Sequence, residues 1–493
     1  MKSLVTVFSA AAVTLASASF AFSARTDLVI GVVLEPPHLD PTASAAGAID
    51  EILYANVFEG LTRIGPNGEV LPGLAESWEV TEDGKVYTFK LRQGVKYHDG
   101  SDFDAEDVKF SLDRARAADS VNAQKALFAA IDTVEAVDPQ TVKVTLKQPQ
   151  GSFLYNMGWG DAVIVAPESA EGNKEKPIGT GPFRFERWAK GASVTLAKNP
   201  DYWGDAVALD KAEFRFIPDA AAALPAILSG DVQAFPSFPA GDALAPIKAD
   251  PRFSVVIGAT EGETILAMNN AKAPFDNIKV RQAISHALDR EEIILGATDG
   301  LGVPIGSHFS PANEAYEDLT GTYPHDVDKA KALLAEAGFA DGFSATIKLP
   351  PPPYARISGE IITSQLAEIG IKLEIVPMEW AQWLEQVFTN KDFDLTIIAH
   401  TEPNDIDIYG REGYYFGYNN PEFKAVMAEL DQSSDPAVRN ELYRKAQRII
   451  ADDAVNGFLF QLPKIGVWDA KLTGLWENSP LQANDLTKVR WTD

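Results

Sequence analysis

The sequence predicts an α/β protein whose mixed sheets are covered by helices. In the first half of the chain, short runs alternate apolar and polar residues, and Tyr87, Phe89 and Leu91 share one face of the clearest run, as half-buried strands require. In the second half, predicted strands alternate with amphipathic helices, a rhythm typical of a sheet with helices packed on it. A chain of 493 residues is long enough for about two or three folding units.

The elements of the first half are mostly strands. Residues 28–33 form a short apolar run typical of a buried strand, and Asn67-Gly68 predicts a hairpin turn. Asp104 is typical of a helix N-cap, and apolar residues at helical spacing follow it in the segment 105–117. Further strands are predicted at residues 141–146, 183–188, 193–197 and 213–217.

Helices and strands alternate in the second half. Asp326 is typical of an N-cap and Gly338 of a helix end. Helices are predicted at residues 280–288, 327–337, 355–369 and 379–388, and strands at residues 345–349, 372–376 and 394–398. Residues 420–452 are predicted to form two more helices, and residues 457–468 a strand pair that returns towards the first half.

The composition restricts the classes of partner. With 70 acidic and 43 basic residues, the formal charge is −27, which repels nucleic acids and anionic membrane surfaces. We therefore expect no nucleic-acid partner, although this charge is compatible with a local cationic pocket. The sequence contains no cysteine, which excludes disulfides, thiolate metal sites, cysteine nucleophiles and a lipid-anchor cysteine.

The first 24 residues are predicted to be a cleaved export signal. Lys2 precedes an apolar run, and Ala21 and Ser23 fit the small residues before a cleavage site. The alternative is a membrane anchor over residues 4–22, but the many small and hydroxyl residues make this run weakly apolar. The sequence thus predicts a protein exported to the periplasm and not tethered to lipid.

Motifs for catalysis are missing from the sequence. It contains no GxSxG, HExxH, Walker or dinucleotide-binding pattern. The six histidines are scattered, with no pair at the spacing of metal ligands, at positions 38, 98, 286, 308, 325 and 400. We therefore expect no catalytic, metal or cofactor site, and a secreted hydrolase stays a remote alternative.

Several segments, in order along the chain, resemble one protein family. They are LAESWEV with the hairpin and helix after it (74–114), IGTGPF (178–183), KNPDYW (198–203) and MNNAKAPFDNIKVRQAISHALDR (268–290). Together they resemble the large extracytoplasmic solute-binding proteins of family 5, which feed ABC importers of peptides, opines and nickel. The set is specific, whereas any single segment is weak.

The resemblance implies a two-lobe fold of the large three-domain type, which closes over ligand by hinge motion. It also implies a division of the chain: domain I at 25–55, 172–266 and 475–493, domain II inserted at 56–171, and domain III at 267–474. The segment 74–114 then belongs to domain II and serves as scaffold.

Arg356 is the predicted cationic ligand contact. It follows a proline run at 350–353 and stands at the start of a predicted helix, so its side chain projects from a helix start. Dipeptide-type members of the family carry an arginine here that binds the peptide carboxylate through two parallel donors. From the residues alone, a solvated surface arginine is the alternative.

The predicted anionic contact lies in the loop after the strand 394–398. Glu402 is the first candidate and Asp405 the second, with Asp407 close by, because strand ends that face a cleft bind ligands in α/β lobes. Peptide-binding relatives place an aspartate in the equivalent loop to receive the ligand ammonium, and this chain departs from their GW-x-x-D pattern. A polar loop with solvated acids is the alternative.

Other residues are candidates for the walls of the cleft. Trp380 and Tyr415 are candidate aromatic walls, for which a place in the core is the alternative. His400 lies at the edge of the acidic loop, where a structural hydrogen bond is favoured over metal ligation. His38 lies in a loop that family members place near the mouth of the cleft.

The sequence and the resemblance together predict a function. The protein is expected to be a monomeric, non-enzymatic receptor that captures short peptides or opine-like conjugates and presents them to ABC permease subunits at the inner membrane. The alternative ligand is a nickel or other metal chelate, or a sugar. The lack of a histidine pair and of cysteine argues against metal, although a chelate brings its own ligands.

Overall fold

The computed structural model describes residues 25–43, 46–402, 405–433 and 435–492, apart from the side chains of Asp242 and Ala381. The predicted export signal at residues 1–24 lies outside the described residues. Within the described ranges, no helix has both the length and the apolar character that crossing a bilayer requires.

The strands are numbered in chain order. They are β1 Asp27–Val32, β2 Thr62–Ile64, β3 Val70–Pro72, β4 Ala75–Val80, β5 Val86–Leu91, β6 Ile131–Asp138, β7 Thr141–Leu146, β8 Phe183–Ala189, β9 Ser193–Lys198, β10 Lys211–Phe216, β11 Ala234–Phe235, β12 Phe253–Met268, β13 Val303–Pro304, β14 Phe343–Leu349, β15 Ile371–Pro377, β16 Leu395–His400, β17 Asn456–Asp469, β18 Leu472–Thr473 and β19 Arg490–Trp491.

The helices are numbered in the same way. They are α1 Gly47–Leu53, α2 Ala105–Arg116, α3 Phe153–Asn156, α4 Ala220–Ser229, α5 Leu244–Lys248, α6 Ile278–Ala287, α7 Arg290–Thr298, α8 Val327–Glu336, α9 Pro353–Glu368, α10 Trp380–Trp383, α11 Pro421–Gln432 and α12 Pro436–Asp452.

One large mixed sheet runs through both lobes. Its strands lie in the order β15-β14-β16-β12-β17-β11-β1-β10-β9-β8. The end from β11 to β8 forms the first lobe, and the end from β15 to β16 forms the second. The long strands β12 and β17 pair along most of their length and belong to both lobes, so they connect the lobes.

The pairing of β12 with β17 is interrupted where the lobes meet. Ala259 pairs with Pro463, and the next pair is Glu263 with Gln461, so residues 260–262 of β12 lie opposite Leu462 alone. Such a bulge bends a strand and increases its twist. The two crossover strands therefore change direction at the junction between the lobes.

A separate four-stranded sheet, in the order β4-β5-β7-β6, is inserted in the sequence between strands β1 and β8 of the large sheet. Tyr87, Phe89 and Leu91 are each about 2% exposed or less and face a core that α2 covers, so the predicted buried face of this hairpin is confirmed. Asp104 accepts a hydrogen bond from the Glu106 amide and caps α2 as predicted. This sheet lies within residues 56–171.

Most predicted elements are present, and one prediction, the strand pair at residues 457–468, is wrong. Residues 457–468 do not form a strand pair but the single strand β17, because its proline, Pro463, lies at the bulge, where a ladder donor is not required. The helix predicted at 379–388 is the short helix α10 followed by a π-helical turn at Leu384–Thr389.

The residues of two family-like segments surround one buried carboxylate. Glu59 is 8% exposed and accepts hydrogen bonds from Thr180 at 2.8 Å, from Tyr202 at 2.9 Å and from Trp203 at 2.8 Å. Any side chain at Gly181 would overlap the backbone near Asn56. The IGTGPF and KNPDYW segments thus close around Glu59 and stabilise the first lobe.

Two arginines of the segment 268–290 also have structural roles. Arg281 is buried and donates to the carbonyl oxygens of Phe275, Asp453 and Ala454. Arg290 donates to the carbonyl oxygen of Phe458 at 2.7 Å. An arginine side chain carries five N–H donors. Each of these two arginines therefore supplies hydrogen bonds to backbone carbonyl oxygens of other chain segments.

Candidate functional site

Three parallel strands of the second lobe end side by side. β14 pairs in parallel with both β15 and β16, so the strand ends at Leu349, Pro377 and His400 lie at one edge of the sheet. Ligands of open α/β sheets bind at the carboxyl ends of such strands. We refer to this region as the carboxyl edge of the second lobe.

Arg356 lies at this edge, in the first turn of α9, as the sequence predicts. Its side chain is 42% exposed, and its Nη2 lies 3.7 Å from Glu379. Its other contacts are long, 3.4 Å to the carbonyl oxygens of Pro350 and Met378. The guanidinium therefore has one loose, exposed ion pair with Glu379 among the described residues and can turn to a stronger acceptor.

Asp405 is buried at the same edge, in the loop after β16. Its Oδ1 accepts a hydrogen bond from Nε2 of His308 at 2.8 Å, and its Oδ2 lies 3.4 Å from Nδ1 of His400. All three side chains are less than a tenth exposed. The fold thus brings together two histidines that are far apart in the sequence, with ring centroids 5.1 Å apart.

Tyrosine hydroxyls bind the outer nitrogens of both imidazoles. The Tyr409 hydroxyl lies 3.3 Å from Nδ1 of His308, and the Tyr415 hydroxyl lies 3.3 Å from Nε2 of His400. One arrangement of protons satisfies every contact: each tyrosine donates to an imidazole, and each imidazole donates to Asp405. This arrangement gives each oxygen of the Asp405 carboxylate an imidazole donor.

The pKa values agree with this arrangement. Burial raises the pKa of Asp405, but the charge and the hydrogen bonds of His308 and His400 outweigh burial and hold that pKa well below its usual range. Burial is also the main reason why the pKa of His308 is lowered. Asp405 is therefore a buried anion at neutral pH.

Two further acids lie beside Asp405 on the crossover strand β12. Glu263 is 3% exposed and pairs across the sheet with His400 on β16 and with Gln461 on β17, so the three side chains share one face. Glu261, in the bulge, is half-buried. Burial raises the pKa of Glu263, and the carboxylates of Glu261 and Asp405 raise it further.

Glu261 also lines a pocket between the lobes. The pocket has about 340 Å³ of space not filled by protein atoms, and its walls include Pro66 and Tyr155 of the inserted subdomain, Ala259 and Glu261 of β12, and Ala312 of the second lobe. The acids of the second lobe therefore extend to the gap between the lobes.

The aromatic candidates occupy two different environments. Trp380 is 43% exposed, whereas Tyr415 is 1% exposed and packs against His400 and Trp383. Trp383 donates its indole N–H to Thr396 at 2.9 Å. Trp380 is thus free to line a cleft, and Tyr415 orients His400 from inside the core.

The remaining candidates have fewer contacts at the site. Glu402 is exposed, and its carboxylate accepts only a hydrogen bond from the neighbouring Thr401 amide, at 3.3 Å, among the contacts of the described residues. His38 is half-buried in the first lobe, where its Nδ1 accepts a hydrogen bond from the Asp40 amide at 3.2 Å. His38 therefore has no part in the buried group around Asp405, whereas Glu402 is exposed but close enough for its charge to act on Glu263 and His308.

The sequence gives little sign of several residues at this site. His308 follows no recognisable motif, and its contact with Asp405 depends on how distant segments pack. Glu261 and Glu263 stand just before an apolar run. An acidic residue at the start of a buried strand is the one sequence feature that could have identified them as site residues. The expected absence of a histidine pair is wrong, because sequence spacing says nothing about pairs formed by tertiary contacts.

One cluster has the donor set of a metal site. Ligand atoms of His308, His400 and Asp405 all lie within 4.8 Å of one another. Two imidazoles and a carboxylate suit zinc or nickel, and the tyrosine contacts are of the kind that orient metal-bound histidines. The same geometry equally fits a carboxylate held ready for a ligand ammonium.

Comparisons with known proteins identify one protein family. The sequence model of the family "Bacterial extracellular solute-binding proteins, family 5 Middle" matches residues 69–421. The dipeptide-binding protein of Escherichia coli K12 is 31% identical over 460 residues, which cover 85% of each chain.

Two solved structures share the fold over nearly the whole chain. HbpA2 from Haemophilus parasuis has a TM-score of 0.84 at 27% identity, covering 95% of this chain and 100% of its own. The ABC transporter-associated periplasmic binding protein DppA from Helicobacter pylori, in complex with the peptide STSA, has a TM-score of 0.79 at 27% identity, covering 95% and 99%.

Proposed function

Because the chain belongs to family 5 of the bacterial extracellular solute-binding proteins, we propose that it is the periplasmic receptor of an ABC importer. It captures short peptides or opine-like conjugates of amino acids between its lobes. The lobes close over the ligand by bending at the crossover strands, and the closed protein delivers the ligand to the permease. The protein carries its ligand unchanged, so it is a receptor and not an enzyme.

One observation carries this proposal: a cation and a buried anion occupy the same edge of the second lobe. Arg356 has a loose ion pair with Glu379 at 3.7 Å and two long hydrogen bonds, and Asp405 is ionised and held by two imidazoles. A zwitterion that loses water in a closed cleft needs an opposite charge for each of its own. Arg356 binds the carboxylate of such a ligand, and the acidic loop binds its ammonium.

The energies are of the right size for a receptor. Hydrogen bonds to charged groups contribute about 1.5–3 kcal/mol each. Two such anchors and the burial of the ligand against aromatic walls approach the roughly 8 kcal/mol of a micromolar complex. The walls contribute through apolar contact, which tolerates different side chains of the ligand, and water fills the remaining space.

A thermal-shift screen tests the proposal. A ligand that binds only the folded protein raises its melting temperature, so the screen covers peptides, opines, amino acids, sugars and divalent nickel. We expect peptides or opines to raise it and to be recovered intact after incubation. Hydrolysed peptides would indicate the secreted hydrolase, and a response to nickel alone would favour the metal receptor that the His308, His400 and Asp405 cluster permits.

Replacement of Arg356 by alanine should abolish the shift that any carboxylate ligand of the screen produces. The substitution removes the guanidinium that pairs with the carboxylate, and a buried carboxylate without a partner is costly. The measurement is the melting temperature with and without ligand. The control is Arg490→Ala, which removes an exposed arginine of the first lobe; an equal shift in the Arg356 variant and in the control would refute the role of Arg356.

Gly151 provides a second prediction, about closure. It lies in the inserted subdomain, and its amide donates to the carbonyl oxygen of Asp431 in the second lobe at 3.0 Å. A Cβ at this position would overlap the carbonyl oxygen of Ser433. Gly151→Ala should therefore hinder closure and weaken ligand binding by about tenfold, as measured by calorimetry, because about 1.4 kcal/mol of contact energy is lost.

The matched control for this prediction is Gly172→Ala. A Cβ at Gly172 meets no atom within 4 Å, so this variant should bind ligand like the unchanged protein. Small-angle scattering with saturating ligand should show a larger radius for Gly151→Ala than for the control. Equal affinity and equal radius in the two variants would show that this contact does not take part in closure.

A further inference from the structure

A carboxyl oxygen without a partner is buried on the crossover strand β12, beside the proposed ammonium site. Oε2 of Glu263 makes no hydrogen bond to any residue that the structure describes, although the side chain is only 3% exposed. Burial of a carboxylate without a partner is among the most costly arrangements in a protein. A fold that keeps one at this place points to a positively charged group that arrives from outside the chain.

A second buried acceptor without a partner lies next to it. Gln461 is the cross-strand neighbour of Glu263, and its Oε1 also lacks a hydrogen bond within the described part of the chain. Its amide nitrogen is used, since it donates to Ser310 at 2.5 Å. Two free acceptor oxygens side by side on one face match a group with several N–H donors, such as an ammonium or a guanidinium.

Glu261 connects this pair with the gap between the lobes. It lies in the bulge of β12, two residues before Glu263, and lines the pocket between the lobes. Burial and the charge of Asp405 raise the pKa of both Glu261 and Glu263, so a cation that reaches them would favour their ionised form. A cation that enters through the gap between the lobes meets Glu261 first and Glu263 deeper inside.

The number of positively charged groups on a ligand determines whether it fits this site. Asp405 has two imidazole donors and provides one anionic partner for an α-ammonium, whereas Glu263 has none of these donors. A ligand whose one positive charge pairs with Asp405 leaves the free oxygens of Glu263 and Gln461 without donors. A ligand with a second positively charged group supplies donors to both.

We propose that Glu261 and Glu263 form a second cation subsite, which binds the positively charged side chain of a basic peptide or amino acid. The proposal rests on the receptor function proposed above and names the ligand class of that receptor. A metal ion on His308, His400 and Asp405 does not replace this subsite, since Glu263 is not among the three residues whose ligand atoms converge.

Calorimetry with matched ligands tests the proposal on the full exported protein. The pairs are Ala-Lys with Ala-norleucine, Lys-Ala with norleucine-Ala, and L-lysine with L-norleucine, since norleucine lacks only the terminal ammonium group. In every pair that binds, the lysine member should bind at least about tenfold more tightly, as expected for one charged hydrogen bond. In Glu263→Gln, the ratio of the two dissociation constants should fall to near one.

The control variant is Glu76→Gln, which removes the same charge from an exposed position on β4 and should keep the preference for lysine. Equal binding of both members of each pair by the unchanged protein would overturn the second subsite and leave the receptor function intact. Binding of no member of any pair, together with no response to any peptide or opine in the screen, would overturn both.

The second subsite can still be tested if one of the variants fails to fold. Circular dichroism checks whether Glu263→Gln folds, and Glu261→Gln provides a second variant nearer to the surface. If only Glu261→Gln folds, its ratio should still fall below that of the unchanged protein. A ratio that stays the same in the folded variants would refute the subsite even if the unchanged protein prefers lysine.

Discussion

Asp405→Asn should weaken the binding of an ammonium-bearing ligand by about a hundredfold or more. Removing one partner of a buried, hydrogen-bonded charge pair costs about 2–5 kcal/mol, and a hundredfold change corresponds to about 2.7 kcal/mol. The asparagine amide also offers donors where the carboxylate accepts hydrogen bonds from His308 and His400. Calorimetry with the ligand identified by thermal shift measures the effect.

The matched comparison is Glu402→Gln, at the first candidate from the sequence. Glu402 is exposed and bound only by its own loop among the described contacts, so water screens its charge and we expect less than a tenfold change. The two variants lie in one loop and lose the same charge. If Glu402→Gln lost binding while Asp405→Asn kept it, Glu402 would be the ammonium partner instead.

Glu59→Leu should lower the free energy of unfolding by about 3–5 kcal/mol. Leucine is close in size to glutamate but cannot accept hydrogen bonds, so the donors of Thr180, Tyr202 and Trp203 are left buried without a partner. Each such donor costs about 1–3 kcal/mol, and the losses overlap because the donors share one carboxylate. The measurement is urea denaturation followed by circular dichroism.

Glu76→Leu is the control for this prediction. It makes the same substitution at an exposed position on β4, where we expect a change within about 0.5 kcal/mol. Equal denaturation midpoints for the two variants would mean that the donors around Glu59 find water or other partners. In that case the IGTGPF and KNPDYW segments would not owe their structural role to this carboxylate.

The strands and helices could largely be predicted from local patterns. Alternation identified the hairpin of β4 and β5, and Asp326 and Asp104 cap helices as predicted, each accepting a hydrogen bond from an amide of the first turn. These features depend on residues a few positions apart, so the sequence contains the information directly. The error at β17 arose where a proline is tolerated only because of its place beside the bulge.

The candidate site could be predicted only in part. The resemblance to family members placed Arg356 at a helix start, and the structure has it in the first turn of α9. The sequence reasoning ranks Glu402 before Asp405, whereas the structure buries Asp405 and exposes Glu402. Whether either binds ligand stays a prediction, because burial alone does not show contact with a ligand.

The sequence by itself determined the α/β class, the order of most elements and the family, because these depend on spacing along the chain. Only the tertiary structure decided that His308 meets His400 across Asp405, and that Glu263 lies buried between His400 and Gln461. The physical reason is register: a shift of one residue in the pairing of β12 would turn Glu263 to the opposite face. Which charges face each other is therefore set by the packing of distant strands.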